Sequence, residues 1–147
     1  MLERKLNSSI SGIDWNTLKQ INKMKQILIA PCGMNCSICI GYLREKNKCP
    51  GCNLMSENEP KYCKKCIIRN CEILKNKNMK FCSSKCEKFP CQRLKNLDKR
   101  YRTKYDMSMM DNLSMIEDKG IREFLKQQKN KYQKANKVLC VHDKKFY

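Results

Sequence analysis

A chain of 147 residues is short enough to form one domain, and aromatic residues make up only 7% of it. A large apolar core is therefore excluded as the only support of the fold, whereas 12 cysteines offer a different kind of support. The formal net charge of +18 favours a polyanionic partner, and no stretch approaches the roughly 18 apolar residues of a membrane span.

Cysteines at this density form either disulfides or metal sites, and the cellular compartment decides between the two. The first residues lack the apolar run that a secretory signal peptide carries. We therefore expect a cytoplasmic protein that does not associate with a membrane. Disulfides are rare in a reducing cytosol, where thiolates remain available for metals, so metal binding is the favoured use of these cysteines.

Residues 1–26 contain no cysteine and are predicted to be an N-terminal extension. Asp14 can cap a helix that places several apolar side chains on one face, namely Trp15, Leu18, Ile21 and Met24. An amphipathic docking helix and a frayed extension both fit this stretch.

Residues 27–92 hold 11 of the 12 cysteines and are predicted to be the metal-binding domain. Zinc prefers four thiolate or imidazole ligands, and a Cys-x2-Cys knuckle points two sulfurs at one ion. Paired knuckles predict one site at Cys36, Cys39, Cys49 and Cys52 and a second at Cys63, Cys66, Cys82 and Cys86. The remaining cysteines of the block are Cys32, Cys71 and Cys91. We expect about two or three structural zinc ions.

The same cysteines also divide into three triplets. These are Cys32, Cys36 and Cys39, then Cys63, Cys66 and Cys71, then Cys82, Cys86 and Cys91. Such triplets suit iron–sulfur clusters, so an iron–sulfur protein with a redox or enzyme-accessory role is the alternative. Zinc is favoured because knuckles with polar spacers form closed tetrahedral sites.

Residues 93–135 are predicted to be a helical segment packed on the metal-binding domain, and residues 136–147 a weakly structured tail. After Pro90, which suits a first helical position, apolar side chains recur at helical spacing at Leu94, Leu97, Tyr101 and Tyr105. A second helix carries Met109, Met110, Leu113 and Ile116 before a stop at Gly120, and a third begins with Ile121, Phe124 and Leu125. The predicted fold class is a small, irregular, metal-stapled domain of zinc knuckles or ribbon-like form, mainly α-helical with short hairpins.

The first of these helices carries basic residues that could contact the phosphates of a nucleic acid: Arg93, Lys95, Lys99, Arg100, Arg102 and Lys104. Tyr101 and Tyr105 could stack on bases. They share a stripe with Leu94 and Leu97, however, and this favours a place in the core with the basic residues as a solvated face. A protein or a nucleic acid is the expected kind of partner.

Four ordered motifs resemble domain of unknown function family 3795. They run from Ile29 to Cys39 (IAPCGMNCSIC), from Cys49 to Cys52 (CPGC), from Cys63 to Cys71 (CKKCIIRNC) and from Phe89 to Cys91 (FPC). Members of that family are small, cysteine-rich and regarded as zinc-binding, and no activity is settled for them. The resemblance implies metal binding and implies no reaction.

The C-terminal part departs from that family, whose sequences often end in further cysteines around a Cys-Val-His element. Only Cys140 and His142 remain here, and a pair of ligands is a poor tetrahedral site. We expect the pair to be vestigial, with metal ligation by either residue the less favoured alternative.

Catalysis finds little support in the sequence. The chain has 1 histidine, and no set of nucleophile, base and orienting group can be assembled. The carboxylates of the cysteine-rich block are interpreted as surface residues: Glu45, Glu57, Glu59, Glu72 and Glu87. The expected function is that of a structural zinc module that binds a partner.

Overall fold

The computed structural model describes residues 24–54, 57 and 59–147. The helix expected after Asp14 falls outside these residues, apart from Met24, which is buried. Within the described part the protein is mainly helical with one short two-stranded hairpin, which confirms the predicted fold class at that level.

The helices and strands are named here in chain order. The helices are α1 (Ile40–Leu43), α2 (Lys61–Lys64), α3 (Glu72–Asn76), α4 (Gln92–Tyr105), α5 (Met109–Lys119) and α6 (Ile121–Tyr132). The antiparallel strands are β1 (Gln133–Lys134) and β2 (Lys137–Val138), and two 3-10 turns cover Gln26–Leu28 and Cys36–Ile38. No described helix is long and apolar enough to cross a membrane.

The cysteine-rich block contains only short helices, because turn-forming residues interrupt it repeatedly. Its longest described helix, α3, has 5 residues. The segment before the first knuckle folds back on itself, since Ala30 N donates to Met34 O at 2.8 Å. Asn35 then caps the turn at Cys36–Ile38 by accepting a hydrogen bond from Ser37 N. Irregular backbone of this kind was expected from the short polar spacers.

Helix α4 confirms the predicted apolar stripe. Leu94 is fully buried, while Leu97, Tyr101 and Tyr105 are partly buried against the core. The helix begins later than predicted: Cys91 is the N-cap with an extended backbone, so Pro90 lies outside the helix. At the other end Asp106 adopts a left-handed conformation and closes the helix.

Helices α5 and α6 also follow the sequence prediction. Ser108 caps α5 by accepting a hydrogen bond from Asp111 N at 3.0 Å. Gly120, with φ of +90°, ends α5 and lets α6 begin at the next residue. Buried Asp98 of α4 accepts hydrogen bonds from Ser108 Oγ at 2.7 Å and Met110 N at 3.0 Å, and so fixes the start of α5 against α4.

The last residues differ from the weakly structured tail that was expected. Val138, Cys140 and Val141 are fully buried. Val141 N donates to Ile38 O at 2.9 Å, and Val138 exchanges two backbone hydrogen bonds with Tyr147. The burial of these side chains, together with the backbone hydrogen bonds, holds the segment on the core.

The core joins the cysteine-rich block to the helices. Its members come from both halves and include Leu28, Ile38, Leu94, Leu113 and Val141. Gly33 shows how closely the halves approach, because a Cβ atom at that position would lie 2.9 Å from Leu113 Cγ. The loop that carries the first cysteines is therefore seated directly on α5.

Candidate metal centre

All twelve cysteines are free thiols within the described part of the chain. Cys32, Cys36 and Cys49 are buried, and the other eight cysteines of the block are half-buried. Cys32 and Cys36 belong to the hydrophobic core, and several half-buried cysteines pack against it. Many of the thiols also lie beside one another.

The first group contains Cys32, Cys36, Cys52 and Cys66. Cys52 N donates to Cys36 Sγ at 3.5 Å, and the two thiols also hydrogen-bond to each other. That thiol–thiol hydrogen bond is the largest cause that raises the pKa of Cys52, with burial and the nearby Cys66 adding to it. Burial raises the pKa of Cys32, and the neighbouring thiols of Cys52, Cys66 and Cys82 raise it further. Four sulfurs from three separate motifs therefore share one neighbourhood.

The second group contains Cys39, Cys49 and Cys63. Burial raises the pKa of Cys63 to about 12, and its hydrogen bond with the Cys49 thiol contributes next. Burial also raises the pKa of Cys39, as do the thiols of Cys52 and Cys49. Gly41 lies between them: a Cβ atom there would be in ordinary van der Waals contact, 3.6 Å from both Cys39 Sγ and Cys49 Cβ. The backbone is fixed by Cys49 N, which donates to Gly41 O at 2.7 Å.

The third group contains Cys71, Cys82, Cys86 and Cys91, which together line a cavity of about 100 Å³. Burial raises the pKa of Cys82 to about 12, and the thiols of Cys91, Cys71 and Cys86 add to the effect in that order. Cys91 is the N-cap of α4, whose positive end favours a thiolate. Cys82 is held in place by its N–H, which donates to Pro31 O at 2.9 Å.

The raised pKa values describe thiols that lose their protons reluctantly, because a thiolate would be poorly solvated beside other sulfurs. A divalent cation at the same place would reverse this preference, since it stabilises each thiolate directly. Among residues 24–54, 57 and 59–147, however, no three or more Cys, His, Asp or Glu side chains take up a recognisable metal-ligand arrangement. The sulfurs lie near one another, but they are not arranged in a coordination geometry.

The knuckles of the first predicted pair lie beside each other: Cys52 adjoins Cys36, and the thiols of Cys52 and Cys49 both act on Cys39. The cysteines of the second predicted pair lie further apart, since Cys66 adjoins Cys52 while Cys82 and Cys86 line a separate cavity. Cys63 hydrogen-bonds to Cys49. The triplet of Cys82, Cys86 and Cys91 stays together and gains Cys71.

His142 is held by protein contacts on both ring nitrogens. Nδ1 accepts a hydrogen bond from Ile40 N at 3.2 Å, and Nε2 lies 2.9 Å from the hydroxyl of Tyr101. The ring also packs edge-on against Tyr105, with centroids 4.6 Å apart. Burial lowers the pKa of His142, so the neutral ring is favoured. These contacts make His142 part of the packing between the C-terminal residues and α4.

The basic face of α4 is solvent-exposed along its whole length. Its members are Arg93, Lys95, Lys99, Arg100, Arg102 and Lys104. Arg102 forms an ion pair with Asp98 at 2.8 Å. Tyr101 and Tyr105 pack against each other and against His142, which confirms their place on the core side. The exposed basic side chains are accessible to phosphates. The two tyrosines are packed against the protein and are not available to stack on bases.

Glu59 corrects the expectation that the carboxylates of the block lie on the surface. It is 5% exposed and pairs with Arg69, whose Nη1 lies 3.0 Å from Glu59 Oε2. The same guanidinium donates to Cys63 O at 3.0 Å and to Leu54 O at 2.8 Å. Arg69 thus ties down both sides of the loop between Cys52 and Cys63. The sequence contains no local signal for this pair, because its partners are separated by a helix.

No protein-family model, no curated protein and no solved structure matches this chain significantly. Support for a function therefore comes from the chain's own residues and contacts.

Proposed function

We propose that this chain is a small metal-binding protein in which zinc holds the cysteine-rich block together. The observation that carries the proposal is the group of Cys71, Cys82, Cys86 and Cys91 around one cavity. Zinc has no geometric preference of its own and accepts four thiolates in a closed tetrahedron. Four cysteines without a competing ligand are the donor set of a structural zinc site.

A structural role fits the surroundings better than a catalytic one. A catalytic zinc keeps a position open for water and needs a nearby base. The buried carboxylate of Glu59 is paired with Arg69, and His142 uses both nitrogens in protein contacts. Bound zinc would supply folding free energy, because its ligands are gathered only in the folded chain.

The same module supports α4 and its basic face. Leu94 and Tyr101 bind the helix to the core, so the six basic residues project from a rigid element. With a net charge of +18, a negatively charged protein surface or a nucleic acid is the partner chemistry that fits this face. The role proposed for the whole chain is that of an interaction module stapled by metal.

Replacing one ligand of the third group tests this proposal. Cys86→Ser should remove about one zinc ion per chain, measured by native mass spectrometry of protein purified without oxygen, because a closed site that loses a thiolate binds weakly. Cys140→Ala is the matched control: Cys140 is buried but lies outside the three groups, so the zinc content should be unchanged.

Two results would count against the proposal. If the wild-type protein is brown, carries iron and absorbs visible light, the bound group is an iron–sulfur cluster and not zinc. Equal zinc content in wild type and Cys86→Ser would show that the third group holds no metal.

A further inference from the structure

The exposed side chains of helix α4 follow an ordered pattern. Successive residues of an α-helix are turned by about 100°, so side chains three and four residues apart share a line along the helix. The middle of the exposed face is a neutral line that contains Gln92, Asn96 and Thr103. One basic line lies on each side of it: the first contains Lys95, Lys99 and Arg102, and the second contains Arg93, Arg100 and Lys104.

This pattern matches the surface of double-stranded DNA, in which base edges lie between two rows of phosphates. We propose that the exposed face of α4 binds in the major groove of a DNA duplex, with the neutral line on the base edges and the basic lines on the two phosphate backbones. A helix with its side chains is about 10–12 Å across, and the major groove is about 12 Å wide. The inference rests on the proposed role of the chain as an interaction module and names its partner.

The charges on the helix favour a polyanion. All six basic side chains are exposed, whereas Asp98 is buried. Among residues 92–106, all of which the structure describes, Asp106 is the only exposed acid, and it lies beyond the last helical residue. Arg102 is paired with Asp98, yet its side chain is 55% exposed. Basic side chains on both sides of the face can therefore replace the counterions of two phosphate rows.

The neutral line separates a DNA duplex from an acidic protein surface as the partner. Gln92 Nε2 donates to Asn96 Oδ1 at 2.8 Å, so the two amides lie side by side on the exposed face. Asn and Gln side chains pair with N6 and N7 of adenine in the major groove. Thr103 Oγ1 donates to Lys99 O at 2.9 Å, which leaves its methyl group for contact with the methyl group of thymine. These residues predict a binding sequence that contains A·T pairs.

Helix α4 is held in place by its inner side and its C-terminal end. Leu94 is fully buried, and the hydroxyl of Tyr101 lies 2.9 Å from His142 Nε2. Lys144 Nζ donates to Tyr105 O at 3.3 Å at the C-terminal end. The side chains of the three lines take no part in this packing. The helix can therefore bind as a rigid body, which lowers the entropy cost of association.

Selection from a library of short random DNA duplexes tests the inference with the full-length chain, purified with its metal. The protein should enrich a common sequence that contains A·T pairs. The best duplex is then remade with 7-deazaadenine in place of adenine, which removes the N7 acceptor in the major groove and leaves the minor groove unchanged. Its affinity, measured by fluorescence anisotropy, should fall about tenfold. An RNA duplex of the same sequence should bind more weakly, because its major groove is too narrow for a helix.

Three variants separate base contacts from phosphate contacts. Asn96→Ala should lower the affinity for the selected duplex about tenfold and leave the affinity for an unrelated duplex unchanged. Arg100→Gln should weaken binding to both duplexes and reduce the slope of log affinity against log salt by about one. Lys126→Gln is the matched control, since Lys126 is an exposed lysine of α6 outside this face, and neither quantity should change.

Each contrary result has a separate meaning. Equal affinity for all DNA sequences would overturn the inference, because the face would then bind through phosphates alone. An unchanged affinity for the 7-deazaadenine duplex, or equal affinity for the RNA duplex, would place the contact outside the major groove and would also overturn it. No binding to any duplex at low salt would assign the face to an acidic protein partner or to solvent. The zinc content of wild type and Cys86→Ser decides the proposed metal binding independently of these results.

Discussion

Neutralising Glu59 measures how far the loop between Cys52 and Cys63 depends on one buried ion pair. The side chains of Arg69 and Glu59 are 10% and 1% exposed, and their two hydrogen bonds are 3.0 and 3.3 Å long. Glu59→Gln keeps the shape of the side chain and one acceptor but leaves the guanidinium charge without a counter-charge. Removing one partner of a buried pair costs about 3–5 kcal/mol of unfolding free energy.

The low end of that range applies here. Arg69 keeps its hydrogen bonds to Leu54 O and Cys63 O, and a tenth of its side chain reaches water. We therefore expect Glu59→Gln to lose about 3 kcal/mol. Arg102→Gln is the matched control, because the Arg102–Asp98 pair has a similar distance of 2.8 Å but its arginine is 55% exposed. That change should cost about 1 kcal/mol, because the Asp98 side chain is only 7% exposed but keeps its hydrogen bonds from Ser108 Oγ and Met110 N.

Urea unfolding followed by far-ultraviolet circular dichroism, at one fixed concentration of free zinc, compares the two variants. A loss for Glu59→Gln no larger than that for Arg102→Gln would refute the reasoning. It would mean that the Arg69 charge is solvated in the protein and that the loop is held by other contacts.

Two further substitutions probe the packing of the helices. His142→Asn keeps an acceptor for Ile40 N but cannot titrate, and because burial lowers the pKa of His142 below 6.5, the histidine's advantage should be full above pH 6.5 and should shrink as the pH falls below it. The difference in unfolding free energy between wild type and variant is measured at pH 8 and at pH 5.5. Any release of metal by acid affects both proteins and cancels in this difference. An equal difference at the two pH values would contradict the assignment. Gly33→Ala should cost about 1–3 kcal/mol more than Gly120→Ala in the same assay, because both glycines have φ near +90° but only Gly33 would meet neighbouring atoms, the nearest at 2.9 Å. Equal losses would show that the contact relaxes without cost.

The three long helices could be predicted from the sequence because their signals are local. Leu94, Leu97, Tyr101 and Tyr105 repeat at the helical period, and Gly120 marks a stop that the structure uses. The N-terminal boundary of α4 was misplaced by the proline, since the residue after it, Cys91, is extended and caps the helix.

The grouping of the cysteines could be predicted only in part, because sulfurs that are close in sequence can face different partners. The knuckles of Cys36 and Cys39 and of Cys49 and Cys52 adjoin each other, whereas Cys82 lies beside Cys71, Cys86 and Cys91 and not beside Cys63. Sequence spacing indicates which cysteines can form a close pair. The tertiary fold determines which pairs come together in one site. The buried ion pair of Glu59 and Arg69 was not predicted, because it too depends on the tertiary fold.

The C-terminal residues show a second limit of local patterns. Residues 136–147 look polar, but Val138, Cys140 and Val141 are buried in the core. The backbone hydrogen bond from Val141 N to Ile38 O at 2.9 Å joins them to the first knuckle. Such a contact depends on a segment about 100 residues away, which no window of sequence covers.

The zinc content and the zinc dependence of folding test the central claim most directly. Native mass spectrometry of the colourless protein should find about three zinc ions per chain, and complete removal by a chelator should abolish the cooperative thermal transition seen by circular dichroism, because each structural site contributes roughly 10 kcal/mol of apparent binding free energy. Readdition of zinc should restore that transition. A chain that is purified without metal, or that keeps the same thermal transition after complete chelation, would contradict the claim that metal holds this fold together.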